Sequence, residues 1–325
     1  MKCLIVGLGS MGKRRARLLR GIQPDITICG VDFSEERRAE AESLGIKAYR
    51  SISQAVAAEQ FDAAFVSTAP KSHAVVISEL LDANLSVFTE INLIADGYKE
   101  NMVKAKEKDL LLFLSSTMLY RGETQYIKQQ VGAFGKPVGY LYHIGQYLPD
   151  WHPWENYKNF FVGDKRTGGC REIFGIEMPW LIDTFGPVKE VYAVKDKLSG
   201  LEIDYPDHYL VTLTHENGTR GQLAVDVVSP KAVRSFEVYG EGLHLFWEGN
   251  PKELYRFDAE TKEKCAVETY KTVEHDARYS DNIVENAYVD ELTNFLDALA
   301  GKAEPRYSFA RDLETLVVID RIEGD

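Results

Sequence analysis

The chain has few cysteines and no long apolar run, and its charge is predominantly acidic. Its four cysteines lie far apart among 325 residues without C-x-x-C spacing, which disfavours a disulfide framework or a thiolate metal centre. The longest apolar stretch, residues 110–114, is too short to cross a bilayer. A net charge of −12 disfavours nucleic acids and anionic membranes, since both select a basic face. We therefore expect a cytoplasmic protein without a metal centre, a membrane partner or a nucleic-acid partner.

The first 32 residues contain a strand, a glycine-rich turn, a helix, a second strand and an acid, in that order. In such a pattern Gly7 permits the tight turn, Gly9 lets the backbone approach a pyrophosphate, and Gly12 lets the helix pack against the strand. The helix N-terminus offers N–H groups to phosphates. Asp32 follows Gly12 by 20 residues, where a carboxylate accepts hydrogen bonds from ribose hydroxyls. The predicted dinucleotide-binding residues of this segment are Gly7, Gly9, Ser10, Met11, Gly12 and Asp32.

Asp32 also bears on which dinucleotide binds. Its negative charge repels a 2′-phosphate, so the sequence favours NAD over NADP. A basic cluster keeps NADP open as the alternative, because any of its side chains can reach a phosphate; its members are Lys13, Arg14, Arg15, Arg37 and Arg38. A solvated helix face is the simpler reading of these charges.

Hydrophobic periodicity divides the chain into two domains and predicts the fold class. Residues 1–119 alternate short apolar runs with helical stretches, which predicts an α/β Rossmann domain with a doubly wound parallel sheet. Residues 120–306 contain long alternating segments separated by glycine and asparagine turns. They predict a C-terminal α+β domain with a large, mostly antiparallel open sheet. A last helix is expected at about residues 307–322.

With these features the chain resembles the glucose–fructose oxidoreductase/inositol dehydrogenase (Gfo/Idh/MocA) family over essentially its whole length. The resemblance implies an N-terminal NAD(P)-binding domain and a C-terminal sheet that covers a sugar site and forms a homodimer or homotetramer. It also implies that residues 307–322 pack back on the Rossmann domain. Four residues at strand ends are placed on the nicotinamide side of the cofactor: Thr68, Pro70, His73 and Glu90.

Two family signatures are altered in this chain. The E-K-P tripeptide reads Glu90-Ile91-Asn92, so the lysine that orients the substrate is an isoleucine. In the helical signature D-x-G-x-H-x-x-D, alignment on Gly175 puts Glu177 at the position of the usual acid/base histidine. Either other groups transfer the proton, or the chain binds NAD without the family's chemistry.

Candidate replacements lie in the helix that carries Glu177 and in the aromatic segment 151–161. Glu177 is the first candidate base, with an exposed carboxylate or a partner for Arg171 as the alternative readings. His152 and Tyr157 are further candidate catalytic residues, because both exchange protons with alcohols. Trp151 and Lys158 are predicted to bind substrate by stacking and hydrogen bonding, with an inter-domain or subunit packing patch as the alternative. Arg171, together with Glu172, is predicted to anchor a substrate carboxylate, unless the two residues pair with each other.

The sequence therefore predicts an NAD-dependent oxidoreductase that acts on a sugar or a sugar derivative. One alternative is a lyase or hydrolase that retains NAD and oxidises its substrate transiently. Another is an NAD-binding regulatory protein without catalysis, which the loss of both signatures favours.

Overall fold

A computed structural model describes residues 1–153, 155–276 and 283–324. The chain forms two compact units, which are described one at a time. The first comprises Met1–Ser116 and Tyr288–Leu313, and the second comprises Thr117–Ala287 and Glu314–Asp325. The expected packing of residues 307–322 on the Rossmann domain stays a prediction. Trp154 of the predicted aromatic segment lies outside the described residues.

The first unit is built on a six-stranded sheet in which all neighbours are parallel. Its strand order, β3-β2-β1-β4-β5-β6, is that of a doubly wound fold and confirms the predicted Rossmann architecture. The strands are β1 (Lys2–Val6), β2 (Thr27–Val31), β3 (Lys47–Tyr49), β4 (Ala63–Val66), β5 (Ser86–Thr89) and β6 (Leu112–Leu114).

Helices follow the strands of this sheet because parallel neighbours need crossover connections. They are α1 (Ser10–Ile22), α2 (Glu35–Ser43), α3 (Ile52–Ala58), α4 (Pro70–Asp82) and α5 (Tyr98–Glu107). Ser34 caps α2, since its side chain accepts a hydrogen bond from the Arg37 amide. Gly45 follows the helix with φ of +70°, the left-handed conformation that glycine adopts without strain.

An aromatic cluster forms the core over strands β4, β5 and β6. Phe65, Phe88 and Phe113 lie on adjacent strands and are fully buried. Phe295 contacts all three rings edge-on, with centroid separations of 5.1 to 5.5 Å. Phe295 lies in α8 (Glu285–Leu299), so this helix, distant in sequence, covers one face of the parallel sheet.

The second unit is built on an eight-stranded sheet with the order β14-β13-β12-β11-β7-β10-β9-β8. Only the β7–β10 pair is parallel, so the predicted mostly antiparallel sheet is confirmed. The strands are β7 (Gly139–Gly145), β8 (Val188–Asp196), β9 (His208–His215), β10 (Arg220–Asp226), β11 (Val233–Gly240), β12 (Leu243–Trp247), β13 (Leu254–Phe257) and β14 (Lys264–Ala266).

Helices α6 (Gly122–Phe134) and α7 (Gly169–Phe185) belong to this unit, and α9 (Phe309–Glu323) ends in it. On α7, Trp180 packs against Phe236 at 5.2 Å and Phe185 stacks on Tyr140 at 4.3 Å between ring centroids. These contacts bury one face of the sheet against α7. The register of α7 therefore fixes which of its side chains face the sheet.

The opposite face of the eight-stranded sheet carries exposed apolar side chains. Tyr192, Val194 and Leu210 are 70%, 52% and 50% exposed on neighbouring strands. This is the open face that the alternating pattern predicted. No helix among the described residues is both long and apolar enough to cross a membrane.

Candidate functional site

The glycine turn of the first unit has the geometry that its sequence predicts. Gly7 has φ of +94°, and a Cβ there would lie 2.5 Å from the carbonyl oxygen of Ser67. A Cβ on Gly12 would lie 1.9 Å from the carbonyl oxygen of Gly7, so α1 packs directly against the turn. At Gly9 the nearest atom to an added Cβ is Arg37 Nη1, at 3.9 Å. The backbone at Gly9 is therefore open to a phosphate group.

The start of α1 completes this cradle. Gly9 is the N-cap and supplies no side chain to the helix N-terminus, and Ser10 and Met11 form the first turn. Uncapped N–H groups and the positive end of the helix dipole suit a pyrophosphate. The residues present thus fit a bound dinucleotide.

Asp32 is oriented by two backbone amides at the end of β2. Its Oδ2 accepts a hydrogen bond from the Leu8 amide and its Oδ1 from the Ser34 amide, each at 2.9 Å. The residue is only 5% exposed. A second charge lies beside it, since Arg37 Nη1 is 3.8 Å from Oδ2. The carboxylate therefore lies at the edge of the Gly9 cradle in a fixed orientation.

Most of the basic cluster is committed to contacts within the first unit. Lys13 pairs with Glu40 at 2.6 Å, and Arg38 donates to the carbonyl oxygen of Asp32 at 2.8 Å. Arg14 lies over the ring of Tyr288, with its guanidinium carbon 4.7 Å from the centroid. Arg37 is the half-exposed member that reaches the Asp32 carboxylate.

The ends of β4 and β5 bring Thr68, Pro70 and His73 together. The Thr68 methyl group would contact a Cβ on Gly7 at 3.1 Å, and Pro70 begins α4. His73 Nε2 donates to the carbonyl oxygen of Thr68 at 2.8 Å, and Nδ1 meets the side-chain amide of Asn92. Burial lowers the pKa of His73, so it is a neutral ring that fixes the loop after β4.

Glu90 is held by a buried arginine that sequence reasoning did not connect with it. Arg15 Nε and Nη2 donate to the two oxygens of Glu90 at 2.7 and 2.8 Å. Arg15 Nη2 also lies 2.8 Å from Glu291 Oε2, and burial raises the pKa of Glu291. The guanidinium is fully buried over the ring of Phe88. Arg15 on α1 therefore binds both Glu90, which directly follows β5, and Glu291 on α8.

Glu177 lies on the sheet-facing side of α7 and is 1% exposed. Arg234 Nη2 and Nε donate to its Oε1 at 2.5 and 3.2 Å. The Tyr142 hydroxyl and the Trp180 indole donate to its Oε2, both at 2.7 Å. The alternative of an exposed carboxylate is wrong, because the helix register turns Glu177 toward β7 and β11. Its role as the base stays a prediction, but its contacts are those of an anchor between helix and sheet.

Arg171 is directed toward the end of α9. Its Nη2 lies 2.7 Å from Asp320 Oδ1, and its Nη1 pairs with Glu323. The side chain is 9% exposed. Its predicted substrate contact stays a prediction, and these two carboxylates account for its charge.

The aromatic segment wraps the N-terminus of α7 through Trp151. The Trp151 ring lies 3.5 Å from a Cβ built on Gly169, and its indole N–H donates to the carbonyl oxygen of Gln146 at 3.1 Å. His152 packs on Phe160 with ring centroids 4.1 Å apart, and burial lowers its pKa. The structure thus brings Trp151 to the first turn of α7.

The other two candidates of the segment contact Glu202. The Tyr157 hydroxyl accepts a hydrogen bond from the Glu202 amide at 3.1 Å, and Lys158 pairs with the Glu202 carboxylate. Both side chains retain exposed surface. The assignments of His152, Tyr157 and Lys158 stay predictions.

Sequence reasoning considered Glu172, in the first turn of α7, only together with Arg171, as an anchor for a substrate carboxylate or as its ion-pair partner. Its Oε2 is enclosed and has no hydrogen-bond partner among the described residues. Burial raises the pKa of this carboxyl to about 8. The available signal was an acid three residues after a Gly-Gly pair, which is a weak indication by itself.

The fold and the cradle define a dinucleotide-binding protein, and family models identify the family to which it belongs. Residues 1–115 match the oxidoreductase family with an NAD-binding Rossmann fold, and residues 126–245 match the GFO/IDH/MocA C-terminal domain. The chain belongs to the Gfo/Idh/MocA family of NAD(P)-dependent oxidoreductases. A search of curated protein sequences gives no match.

Solved structures share this fold over the full length. An oxidoreductase from Agrobacterium radiobacter, in complex with NAD+, L-tartaric acid and magnesium, has a TM-score of 0.82 at 14% identity, covering 100% of this chain and 96% of its own. UDP-N-acetylglucosamine 3-dehydrogenase from Acidithiobacillus ferrooxidans has a TM-score of 0.78 at 18% identity, and the match covers 100% of this chain and 97% of that enzyme. Biliverdin reductase from Synechocystis sp. PCC 6803, in complex with biliverdin and NADP+, has a TM-score of 0.74 at 20% identity. The match covers 99% of this chain and 97% of that enzyme. These likenesses establish the fold.

Proposed function

We propose that the chain transfers a hydride between NAD and a carbinol or carbonyl carbon of a sugar derivative. The observation that carries this proposal is the cradle at Gly9, with Asp32 oriented at its edge by two amides. NAD+, when bound, accepts the hydride. The aromatic side chain of Trp151 at the start of α7 supports a sugar, because aromatic rings stack on sugar C–H faces.

Purified chain tests this function with NAD+ and a panel of free sugars, sugar acids and UDP-N-acetylglucosamine. We expect NADH formation, followed by its absorbance, with at least one member of the panel. Turnover without added NAD, together with NAD that co-purifies, would identify the NAD-retaining lyase or hydrolase instead. NAD binding without turnover of any compound would contradict oxidoreductase activity.

We propose that NAD is the preferred cofactor, because the oriented Asp32 carboxylate repels a 2′-phosphate. Asp32→Asn is expected to weaken NAD binding about tenfold, since a hydrogen bond to a charged group contributes roughly 1.5–3 kcal/mol. It should weaken NADP binding less. Dissociation constants from fluorescence titration check this, with Asp25→Asn on the surface as the control. Tighter binding of NADP than NAD by the unmodified chain would contradict the proposal.

A second candidate function is NAD binding without catalysis. The four hydrogen bonds that occupy Glu177 favour it, because donors from this chain already take up both carboxylate oxygens. The panel above separates the two functions. Pairing of two copies through the open face of the sheet also stays a prediction, and a monomer in sedimentation of the purified chain would contradict it.

A further inference from the structure

The first turn of α7 contains the carboxyl group of Glu172, which the fold largely encloses. Glu172 Oε2 is enclosed, yet no described residue donates a hydrogen bond to it. The residue as a whole keeps some exposed surface. Buried polar groups in folded proteins are almost always hydrogen-bonded. An enclosed, unpaired acid that solvent can still reach therefore calls for a functional reason.

Two aromatic side chains pack closely around this turn. A Cβ on Gly168 would lie 2.9 Å from the Tyr205 ring, and one on Gly169 would lie 3.5 Å from the Trp151 ring. The Tyr205 hydroxyl accepts a hydrogen bond from the Gly169 amide at 3.1 Å and donates to the carbonyl oxygen of Val162 at 2.5 Å. Two aromatic side chains thus flank the turn that carries Glu172.

The other charged groups on α7 have ionic partners. Glu177 is paired with Arg234, and Arg171 with Asp320 and Glu323. Asp183, near the end of the helix, pairs with Lys128 at 2.6 Å. Within the part of the chain that the structure describes, Glu172 is therefore the charged side chain of α7 that forms no ion pair.

We propose that Glu172 is the proton-transfer residue of this oxidoreductase, in place of the histidine that the altered signature lacks. This inference rests on the proposed function. When the substrate is oxidised, the Glu172 carboxylate takes the hydroxyl proton while the carbinol carbon loses a hydride to NAD+. The oxygen keeps the O–H electron pair and forms the carbonyl bond, and the proton leaves Glu172 for solvent. The reverse reaction uses the protonated carboxyl as the acid.

The electrostatics of the turn agree with this role. Burial raises the pKa of Glu172 to about 8, so both forms of the carboxyl are populated near neutral pH. General acid–base groups work best when their pKa lies near the working pH. In the direction of oxidation, kcat/KM should rise with pH and level off above about 8, because the ionised carboxylate is the reactive form.

The test compares Glu172→Gln, Glu172→Asp and the control Asp183→Asn on the same helix. The probe is UDP-N-acetylglucosamine, or the panel compound that the wild type oxidises fastest. Glu172→Gln is expected to lower kcat/KM at least ~100-fold and to abolish its rise with pH. Glu172→Asp should restore part of both. Asp183→Asn should match the wild type, and NAD affinity should change less than twofold in all three variants.

A second measurement reads the titration of Glu172 without turnover. The carboxyl has an ordinary pKa of 4.5 and a raised one in the folded chain, so the folded state holds an extra proton between these values. Stability to urea should therefore fall as pH rises from about 5 to 8, and the fall should be smaller in Glu172→Gln.

The outcomes separate this inference from the proposed function. No turnover by the wild type on any compound overturns the proposed function, and the role of Glu172 with it. A different result overturns the Glu172 proposal alone: the wild type turns over, and Glu172→Gln keeps a near-normal rate or the pH profile of the wild type. Superimposable stability curves for wild type and Glu172→Gln overturn it as well.

Discussion

Replacing Arg15 by methionine is expected to lower the free energy of unfolding by about 3–5 kcal/mol, because it leaves two buried carboxylates without their cation. Glu90 and Glu291 both contact this guanidinium, and Arg15 and Glu291 are fully buried. Methionine fills much of the same volume, so the loss reflects charge rather than a cavity. Urea unfolding at pH 7 measures the effect.

The pH dependence and a double variant identify the cause of this loss. Unpaired buried carboxyls take up protons, so the penalty of Arg15→Met should shrink at pH 5. Arg15→Met/Glu291→Gln should recover part of the stability. Arg20→Met, on the same helix but bonded at the surface to the carbonyl oxygen of Leu44, is the control and should cost less than about 1 kcal/mol. A penalty for Arg15→Met that is constant from pH 5 to 7 would contradict the charge explanation.

Local patterns were sufficient for the cradle and for the parallel sheet. Gly7, Gly9 and Gly12 act through backbone geometry, which depends on their spacing alone. The order of apolar runs and helices then predicted where the strand ends carrying Thr68 and Glu90 would meet. The spacing of glycines and the order of strands and helices are local properties, so a single sequence is enough to predict them.

Strands β13 and β14, at one side of the eight-stranded sheet, were missed because their side chains carry little burial signal. Residues Lys264–Ala266 of β14 are all exposed, and β13 buries only Leu254 fully. Such strands are defined by the backbone of their neighbours rather than by their own alternation. The alternation of residues 138–148 predicts one strand over that whole range, whereas β7 ends at Gly145.

Ion pairs between distant elements could not be predicted. Arg15 and Glu90 are 75 residues apart, and Glu177 and Arg234 are 57 apart. Alignment on Gly175 gives Glu177 a position on the helix, but no information on what faces it. Sequence therefore predicted a catalytic acid on this helix, whereas the contacts distinguish the paired Glu177 from the unpaired Glu172.

Glu177→Gln is expected to lower the free energy of unfolding by about 3 kcal/mol, because Arg234, whose side chain is only 17% exposed, is left without its partner. The amide nitrogen of glutamine would also face one of the donors that now bond to Glu177. Arg234→Met should cost a similar amount for the reciprocal reason. The double variant Glu177→Leu/Arg234→Met should cost less than the sum of the single variants by about 0.5–3 kcal/mol.

Turnover separates an anchor from a base. If Glu177 is an anchor, folded Glu177→Gln should keep kcat/KM within about tenfold of the wild type, because no proton passes through it. Removal of a general base costs at least ~100-fold and alters the pH profile. Measurements below the onset of thermal unfolding, with circular dichroism to confirm folding, exclude a loss due to unfolded protein. A fall of at least ~100-fold in well-folded Glu177→Gln, with normal turnover in Glu172→Gln, would return the role of the base to Glu177.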